Sequence, residues 1–197
     1  MATTLLLVRH GLTAAVGHAL AGRADEPGLG DEGWAQAQRL ADWLHGVQPS
    51  AVYTSPIRRA VQTAECIAAR LQQRAQARPA LTEVDFGAWT GRRFEALDDV
   101  ERWRRFNTFR SGTAPPGGEP MSTVQARVVG ELLGLRDAHP DATVVVVSHA
   151  DPIRSALAHF LGVPLDLMLR LSVDPASTSA LELGDWGATL RFLNRAA

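Results

Sequence analysis

Three apolar runs in this sequence each end in a cluster of residues able to bind or attack an oxyanion. The clusters are Arg9-His10, then Ser55 with Arg58 and Arg59, and finally Ser148-His149. A neutral imidazole, whose pKa lies near ~6.5, is a good nucleophile toward phosphorus, and the planar fork of arginine matches the oxygens of a phosphate group. Two histidines and at least two arginines brought together would therefore form a phosphate pocket that contains its own nucleophile.

Cleavage of a phosphate ester in such a pocket also requires a carboxylic acid. This acid must protonate the leaving alcohol and then accept a proton from the attacking water. Spacing alone does not identify it, and four carboxyl groups remain as candidates: Glu83, Asp85, Glu95 and Glu119.

The charged residues exclude several kinds of catalysis and of ligand. All 20 basic residues of the 197-residue chain are arginine, and the formal net charge is -1. The lack of lysine excludes Schiff-base catalysis, a lysine general base and a P-loop lysine. The small net charge argues against nucleic acid as a partner. Any oxyanion that the protein binds must therefore be held by arginine, histidine, hydroxyl groups or backbone amides.

Cysteine content and the lack of targeting signals predict a reducing, cytoplasmic location. Cys66 is the one cysteine of the sequence and cannot form an internal disulfide. The N-terminal apolar run is shorter than the ~7–15 residues of a signal-peptide core, and no run approaches the ~20 apolar residues of a membrane span. We therefore expect no membrane partner. The oligomeric state stays open, with a homodimer as one option.

The apolar runs alternate with helical patterns, which predicts an α/β fold. Strands are expected at residues 3–8, 51–54 and 143–147, with two more in the tail at 176–183 and 189–193. Uninterrupted apolar strands are typical of parallel sheets covered on both faces, so we expect a three-layer α/β/α sandwich around a mostly parallel sheet. Ligands of such sheets bind beyond the carboxyl ends of the strands, where all three polar clusters fall.

Start and stop signals place helices between these strands. Asp31 is expected to cap a helix that buries Trp34 and ends at Gly46. Residues 28–33 match the dinucleotide fingerprint G-x-G-x-x-G, but they follow a polar loop rather than a strand, so we expect them only to lead into this helix. Further helix starts are expected at Ser55-Pro56, at the capping-box pair Ser122 and Gln125, and at Asp151-Pro152.

The stretch 80–120 differs from the rest because it mixes Gly, Pro, Arg and aromatic residues. We predict one domain over residues 1–197, in which residues of about 85–120 form a lid or substrate-facing insertion, named here the lid segment. Its aromatic side chains are expected mainly to pack the lid. Its arginines are expected at a solvated face, with the sharper hypothesis that some bind a second anionic group of the substrate. These arginines are Arg92, Arg93, Arg102, Arg104, Arg105 and Arg110.

Five motifs, taken in chain order, carry a family resemblance. They are Leu6-Leu7-Val8-Arg9-His10-Gly11, the segment from Thr54 to Ala64, Leu81-Thr82-Glu83 with Phe86 to Gly91, Pro116-Gly117-Gly118-Glu119, and Val145-Val146-Val147-Ser148-His149. In this order they resemble the motifs of the histidine phosphatase superfamily, in its phosphoglycerate mutase-like branch. They span roughly residues 4–155, so the resemblance covers most of the chain.

The resemblance implies the phosphoglycerate mutase-like fold and a reaction that uses neither a metal nor another cofactor. It implies His10 as the nucleophile and identifies Glu83 as the general acid and base. It also implies that Arg9, Arg59 and His149 line the phosphate pocket.

Three positions depart from the family pattern. Members often have Glu after Arg-His-Gly and an Asn a few residues later, whereas this chain has Leu12 followed by Thr13-Ala14-Ala15-Val16-Gly17. We expect Thr13 to supply the missing phosphate contact. Ala150 replaces the usual Gly after the last histidine, and its backbone amide is still expected to bind phosphate. Arg58 lies outside the motif position and is expected at the surface.

The resemblance implies a phosphatase that hydrolyses small-molecule phosphomonoesters through a phosphohistidine. Cofactor-dependent phosphoglycerate mutases share the site but are longer, with segments that shield it from water, so we favour hydrolysis. An α-ribazole-phosphate phosphatase fits the same motifs. A catalytically silent binding protein is a further alternative, and so is a metallohydrolase, although no ligand motif such as HExxH is present.

Overall fold

A computed structural model describes residues 2–197 and contains one six-stranded sheet in the order β3-β2-β4-β1-β5-β6. The strands are β1 (Ala2–Arg9), β2 (Ala51–Thr54), β3 (Ala75–Ala77), β4 (Thr143–Ser148), β5 (Thr178–Gly184) and β6 (Gly187–Arg195). The first four strands of this order run parallel, whereas β5 and β6 are antiparallel to their neighbours. The sheet is therefore mostly parallel, as predicted, and only the short strand β3 was not expected.

The helices cover both faces of the sheet. They are α1 (Asp31–Val47), α2 (Arg58–Arg70), α3 (Glu101–Thr108), α4 (Met121–Ala138) and α5 (Ala150–Phe160). Side chains of β1 alternate between two cores: Leu6 packs with α1 and α2, while Leu7 packs with α4 and α5. Because both faces of the central strands are buried, these strands are apolar throughout. The three-layer α/β/α sandwich is confirmed.

Helix α1 departs from the sequence prediction at three positions. Asp31 is its first helical residue, and the N-cap is Gly30, with no capping hydrogen bond from a side chain. Gly46 does not end the helix, which runs to Val47 and then turns at a left-handed Gln48. The ring of Trp34 is exposed because the buried stripe passes through Leu40 and Leu44 instead.

The predicted starts of two other helices are also wrong. Helix α2 begins at Arg58 rather than at Ser55-Pro56, and an extended Ile57 precedes it. Helix α4 begins at Met121 after the extended Pro120, and Ser122 makes no capping bond. In both helices the residue before the first turn is extended, and no side chain makes a capping hydrogen bond.

The lid segment contains little regular structure besides helix α3. Short 3₁₀ turns lie at Pro79–Leu81, Gly87–Trp89 and Phe94–Ala96, with a fourth at Leu165–Arg170 nearer the C-terminus. The two ends of the segment meet, because the amide of Glu119 donates to the carbonyl of Asp85 across 2.8 Å. Between these ends, Trp89 and Phe106 pack into the core that also contains α4 and α5.

No helix within residues 2–197 is long and apolar enough to cross a membrane.

Candidate active site

The carboxyl ends of the three parallel strands β1, β2 and β4 meet at one edge of the sheet. Arg9 is the register partner of Ser148. The amide of His10 donates to the carbonyl of Ser148 at 3.0 Å, and the amide of Ser55 donates to Val147 at 2.9 Å. Backbone bonding thus continues beyond the strands and brings all three predicted clusters together.

His10 is buried, and both of its ring nitrogens have partners. Nδ1 lies 2.8 Å from the carbonyl oxygen of Gly11, and Nε2 lies 3.2 Å from Nε of Arg59. A guanidinium can only donate, so Nε2 is the unprotonated nitrogen and Nδ1 carries the proton. Burial, and then the charge of Arg59, lower the pKa of His10 well below its ordinary value. The ring is therefore neutral, and its Nε2 lone pair is directed at Arg59.

His149 lies behind His10, as the residue that precedes helix α5. The centroids of the two rings are 5.2 Å apart in an edge-on arrangement. Nε2 of His149 is 2.8 Å from the hydroxyl of Ser55, while Nδ1 is buried without a hydrogen-bond partner among the described residues. Burial, and then the charge of Arg59, lower the pKa of His149 well below its ordinary value. The structure brings His149 to His10 but does not place it on the cavity wall.

Arg59 is almost entirely buried and is held by a loop. Its Nη1 and Nη2 donate to the carbonyls of Ala24 and Gly22, at 3.0 and 2.6 Å. Arg9 is fixed by one bond from Nη1 to the carbonyl of Val173 at 2.8 Å. Arg58, in contrast, is exposed and pairs with Glu26, so the choice between the adjacent arginines agrees with the sequence prediction.

Glu83 is the candidate acid that lines the same cavity as His10. One of its carboxylate oxygens accepts a hydrogen bond of 2.8 Å from the amide of Val84. Burial, and then the nearby charge of Asp151, raise the pKa of Glu83 to about 7. At neutral pH this carboxyl group is therefore divided between its acid and base forms, as a group that gives and takes a proton must be.

The other three candidate carboxyl groups lie elsewhere. Asp85 and Glu95 have exposed side chains. Glu119 binds Arg127 through two hydrogen bonds, of 2.9 and 3.1 Å, and it also accepts one from Arg23. Glu119 is not among the residues that line the cavity, and its contacts make it an anchor for the two arginines.

Arg127 is a positioning residue that the sequence did not reveal. Its guanidinium donates to the carbonyls of Ala80, Thr82 and Glu83, at 2.6, 2.7 and 3.2 Å. Arg23 donates to the same Glu83 carbonyl at 3.0 Å. The backbone that presents Glu83 is thus held by two arginines, but no motif or spacing distinguishes Arg127 from the other arginines of the chain.

The cavity above these groups has a volume of about 390 Å³. Thr13 is buried on its wall, and Ala150 lies on the wall at the start of α5. The wall also contains Phe94 and Trp103 from the lid segment. Two other aromatic residues of the lid segment lie away from the wall: Phe106 is buried in the core, and Phe109 is exposed.

The arginines of the lid segment also divide into two sets. Arg110 is buried and lines the cavity, together with Asp151 and Arg154, which the sequence did not indicate as site residues. The remaining arginines are exposed, as expected for a solvated face: Arg92, Arg93, Arg102, Arg104 and Arg105.

The chain is similar to known proteins over nearly its whole length. The sequence profile of the histidine phosphatase superfamily (branch 1) matches residues 5–196. A bifunctional protein of Mycobacterium tuberculosis is 37% identical over 98% of this chain, but the chain spans only 54% of that protein, about half its length. The adenosylcobalamin/alpha-ribazole phosphatase of Escherichia coli is 32% identical over 98% of this chain and 96% of its own.

A solved structure agrees with these sequence matches. The mycobacterial glucosyl-3-phosphoglycerate phosphatase superposes with a TM-score of 0.90 at 28% identity, covering 100% of both chains. The agreement extends over the whole sheet and the lid segment, so the fold of the chain is that of these phosphatases.

Proposed function

Because the chain belongs to branch 1 of the histidine phosphatase superfamily, we propose that it hydrolyses phosphomonoesters of small molecules through a phosphohistidine on His10. The observation that carries this proposal is the state of the His10 ring. Its Nδ1 is turned to the Gly11 carbonyl and its Nε2 lone pair faces Arg59, in a cavity that also holds Glu83. Nucleophile, anion clamp and proton donor are thereby present in one place.

In the first step, Nε2 of His10 attacks phosphorus and the bond to the ester oxygen breaks. Arg59 and Arg9 neutralise the phosphoryl oxygens while charge moves onto them. The proton of the Glu83 carboxyl passes to the leaving oxygen, so the product leaves as a neutral alcohol. The enzyme then carries a phosphohistidine and an ionised Glu83.

The second step reverses these roles with water. The Glu83 carboxylate takes a proton from water while the water oxygen attacks phosphorus, and the bond from phosphorus to Nε2 of His10 breaks. Phosphate departs, and both His10 and Glu83 return to their starting states. Thr13 and the amide of Ala150, on the cavity wall, complete the proposed phosphate pocket, and His149 supports it from behind His10.

The lid segment is proposed to be the part of the single domain that faces the substrate. Its Phe94 and Trp103 lie on the wall of the cavity that also contains His10 and Glu83. Substrate choice would then be set by the lid segment and chemistry by the sheet edge. The names of relatives support small phosphorylated metabolites as the substrate class. We also propose the cytoplasm as the place of action, supported by the free thiol of Cys66.

Transfer of the phosphoryl group to a second alcohol is the competing outcome for the same intermediate. Phosphoglycerate mutases occur among the relatives, with 28% identity over 90% of this chain for the enzyme of Thermoplasma acidophilum. Product analysis separates the two reactions. Hydrolysis releases inorganic phosphate in amounts equal to the alcohol, whereas transfer releases alcohol and no phosphate.

Trapping the intermediate tests the proposal directly. The protein is mixed with a ³²P-labelled phosphomonoester and quenched in alkali within milliseconds. We expect label that is stable to base and lost in acid, as a phosphorus–nitrogen bond requires. The His10→Ala variant should incorporate no label and lose at least ~10³-fold in kcat. His159→Ala, an exposed histidine, serves as the matched control. Acid-stable label, or an active His10→Ala variant, would refute the proposal.

A further inference from the structure

The peptide group that joins Gly11 to Leu12 makes a hydrogen bond at each end. Its carbonyl oxygen, which belongs to Gly11, lies 2.8 Å from Nδ1 of His10. Its amide, which belongs to Leu12, donates to the side-chain oxygen of Gln36 at 2.8 Å. In a planar trans peptide the C=O and N–H bonds point in opposite directions, so the two partners lie on opposite sides of one rigid group. Gln36 therefore fixes the direction of the carbonyl that meets His10.

Gln36 reaches this peptide because helix α1 approaches the loop closely. Gly33 lies one turn earlier on the same face of the helix. A Cβ atom on Gly11 would lie 2.6 Å from the carbonyl oxygen of Gly33, so glycine permits the approach. Gln36 is half-buried. Its bond to the Leu12 amide is thus partly shielded from water, which makes the bond stronger than one at an exposed surface.

Thr63 holds the other peptide group of Gly11. Its buried hydroxyl accepts a hydrogen bond from the Gly11 amide at 3.1 Å and donates to the carbonyl of Arg59 at 2.9 Å. The peptide groups on the two sides of the Gly11 Cα atom are therefore fixed, one to α2 and one to α1. Since the backbone of a residue has only the two soft dihedrals φ and ψ, the Gly11 carbonyl has little freedom to turn while both bonds are in place.

The direction of the Gly11 carbonyl decides which nitrogen of His10 carries the proton. A carbonyl oxygen accepts and cannot donate, so it favours a proton on Nδ1. Nε2, which lies 3.2 Å from Nε of Arg59, then holds the lone pair. With the proton on Nε2 instead, two N–H groups would face each other at Arg59, and the lone pair of Nδ1 would face the carbonyl oxygen. Only the first tautomer can attack phosphorus from Nε2.

We propose that Gln36 is a positioning residue, which keeps the proton of His10 on Nδ1 by holding the peptide between Gly11 and Leu12 in place. The inference rests on the proposed function for its effect on catalysis, but the tautomer is a property of the resting protein. A hydrogen bond at the amide end of a peptide also polarises its carbonyl, which strengthens the bond from Nδ1. Gln36 thus acts both on the orientation of the acceptor and on its strength.

Nitrogen NMR of the His10 ring tests the inference without substrate. The protein is labelled with ¹⁵N-histidine, and the His10→Ala variant assigns the signals. At neutral pH the wild type should show a protonated Nδ1 and an unprotonated Nε2. In Gln36→Met, whose side chain has a similar length but no acceptor oxygen, the two signals should move toward each other, as exchange between tautomers requires. A wild-type ring with its proton on Nε2 would overturn the inference without the use of any variant.

Kinetics of the same variant measure the consequence for the reaction. For Gln36→Met we expect kcat to fall about 10-fold, since one partly buried hydrogen bond is lost and fewer molecules hold the reactive tautomer. KM should change by less than about twofold, because Arg9 and Arg59 still bind the phosphate. A variant that only loosens the fold would lower stability without moving the proton of His10.

Three further variants of helix α1 complete the experiment. Gln36→Glu retains an acceptor oxygen at the same length, so it should keep the wild-type tautomer and recover most of kcat. Gln38→Met removes an exposed glutamine of the same helix and should behave as the wild type. Gln36→Asn, whose amide is too short to reach Leu12, replaces Gln36→Met if that variant does not fold. An unchanged tautomer in the variants without the acceptor, or a Gln36→Glu variant as impaired as they are, would refute the role of Gln36.

Failure of the inference and failure of the proposed function give different results. If Gln36→Met hydrolyses p-nitrophenyl phosphate at the wild-type rate and keeps the wild-type tautomer, the phosphatase stands and the role of Gln36 falls. If the wild type hydrolyses no phosphomonoester, the proposed function falls. The NMR comparison of the wild type with Gln36→Met then still decides whether Gln36 sets the tautomer of His10.

Discussion

Gly33 packs against the backbone of Leu12 so closely that a Cβ atom on it would lie 2.1 Å from the Leu12 carbonyl oxygen. Leu12 follows His10 by two residues, and its own carbonyl accepts a hydrogen bond from Gly30 at 3.2 Å. The first turn of helix α1 thus supports the loop that carries the nucleophile. Of the fingerprint-like glycines at residues 28–33, Gly30 and Gly33 make this contact, and Gly33 lies in the first turn of the helix.

Substituting the two glycines of helix α1 should therefore have opposite effects. Gly33→Ala forces the helix away from Leu12 and should cost about 2 kcal/mol or more of unfolding free energy, with a fall in kcat. Gly46→Ala meets nothing within 4 Å, and it should stabilise the protein by about 0.5–1 kcal/mol. Urea unfolding of both variants provides the measurement. Equal stability of the two would contradict the packing argument.

The pKa of Glu83, raised to about 7, predicts an alkaline limb in the pH profile. Glu83 must be protonated to act as the acid, so kcat/KM for an alkyl phosphate should fall as pH rises through about 7. Asp151→Asn removes a charge that raises this pKa, so the limb should move to lower pH. The ionisation of the substrate is common to all variants and cancels in the comparison.

Asp137→Asn is the matched control for this profile, because Asp137 is exposed and pairs with Arg136. Its limb should coincide with that of the wild type. A limb that stays in place or moves to higher pH in Asp151→Asn would show that Asp151 does not act on Glu83.

The same shift predicts a pH-dependent effect on stability. Folding raises the pKa of Glu83 from 4.5 to about 7, so the folded state binds this proton more tightly than the unfolded state. The contribution of this proton to the free energy of unfolding is fully present below pH 4.5 and is lost as the pH rises through 7. Glu83→Gln should therefore stabilise the protein at pH 8 by on the order of 1–2 kcal/mol, after allowance for partial exposure. At pH 4.5 the gain should vanish, and a gain of equal size at both pH values would refute the assignment.

Arg127 is expected to act on catalysis through Glu83 alone. Arg127→Met releases the carbonyls of Ala80, Thr82 and Glu83, so kcat should fall roughly 10- to 100-fold with little change in KM. The loss should be larger for glycerol 3-phosphate than for p-nitrophenyl phosphate, whose leaving group needs little protonation. Arg136→Met, at an arginine of the same helix whose partner is Asp137, is the control. A uniform loss for both substrates would indicate a general structural role instead.

Removal of divalent metal ions should leave the activity unchanged. In the proposed reaction, arginines neutralise the phosphoryl charge and Glu83 handles the proton, so no step needs a Lewis acid. Activity on p-nitrophenyl phosphate after dialysis against EDTA is the measurement, with added Mg²⁺ or Zn²⁺ as the comparison. Activity that is lost in EDTA and restored by metal would favour the metallohydrolase alternative. Vanadate, which mimics five-coordinate phosphorus, should inhibit in both conditions.

The layout of the site could be predicted from sequence because it depends on strand ends. The apolar runs before His10, Ser55 and His149 are unambiguous, and parallel strands bring their carboxyl ends to one edge. The choice of Glu83 among four carboxyl groups came from the family resemblance. Its raised pKa depends on burial and on Asp151, and neither property can be seen in the local sequence.

The supporting residues could not be predicted, because their roles depend on side chains that meet only in the folded chain. Arg127 on α4 reaches carbonyls of the Glu83 loop, and Arg110 reaches Asp151 on α5. In a chain with so many arginines, none of these positions is distinctive. The helix caps were missed for a similar reason: extended backbone at residues such as Ile57 and Pro120 starts the helices without a polar cap.

The position of β1 between β4 and β5 determines when activity can appear during synthesis. His10 is synthesised well before both neighbours of its strand, because β4 and β5 come much later in the sequence than β1. Until they arrive, the nucleophile has no strand beside it, no second histidine and no helix α5. Recovery of phosphatase activity after dilution from denaturant should therefore require that the whole sheet has formed. A chain whose synthesis stops before β4 and β5 should be inactive toward phosphate esters.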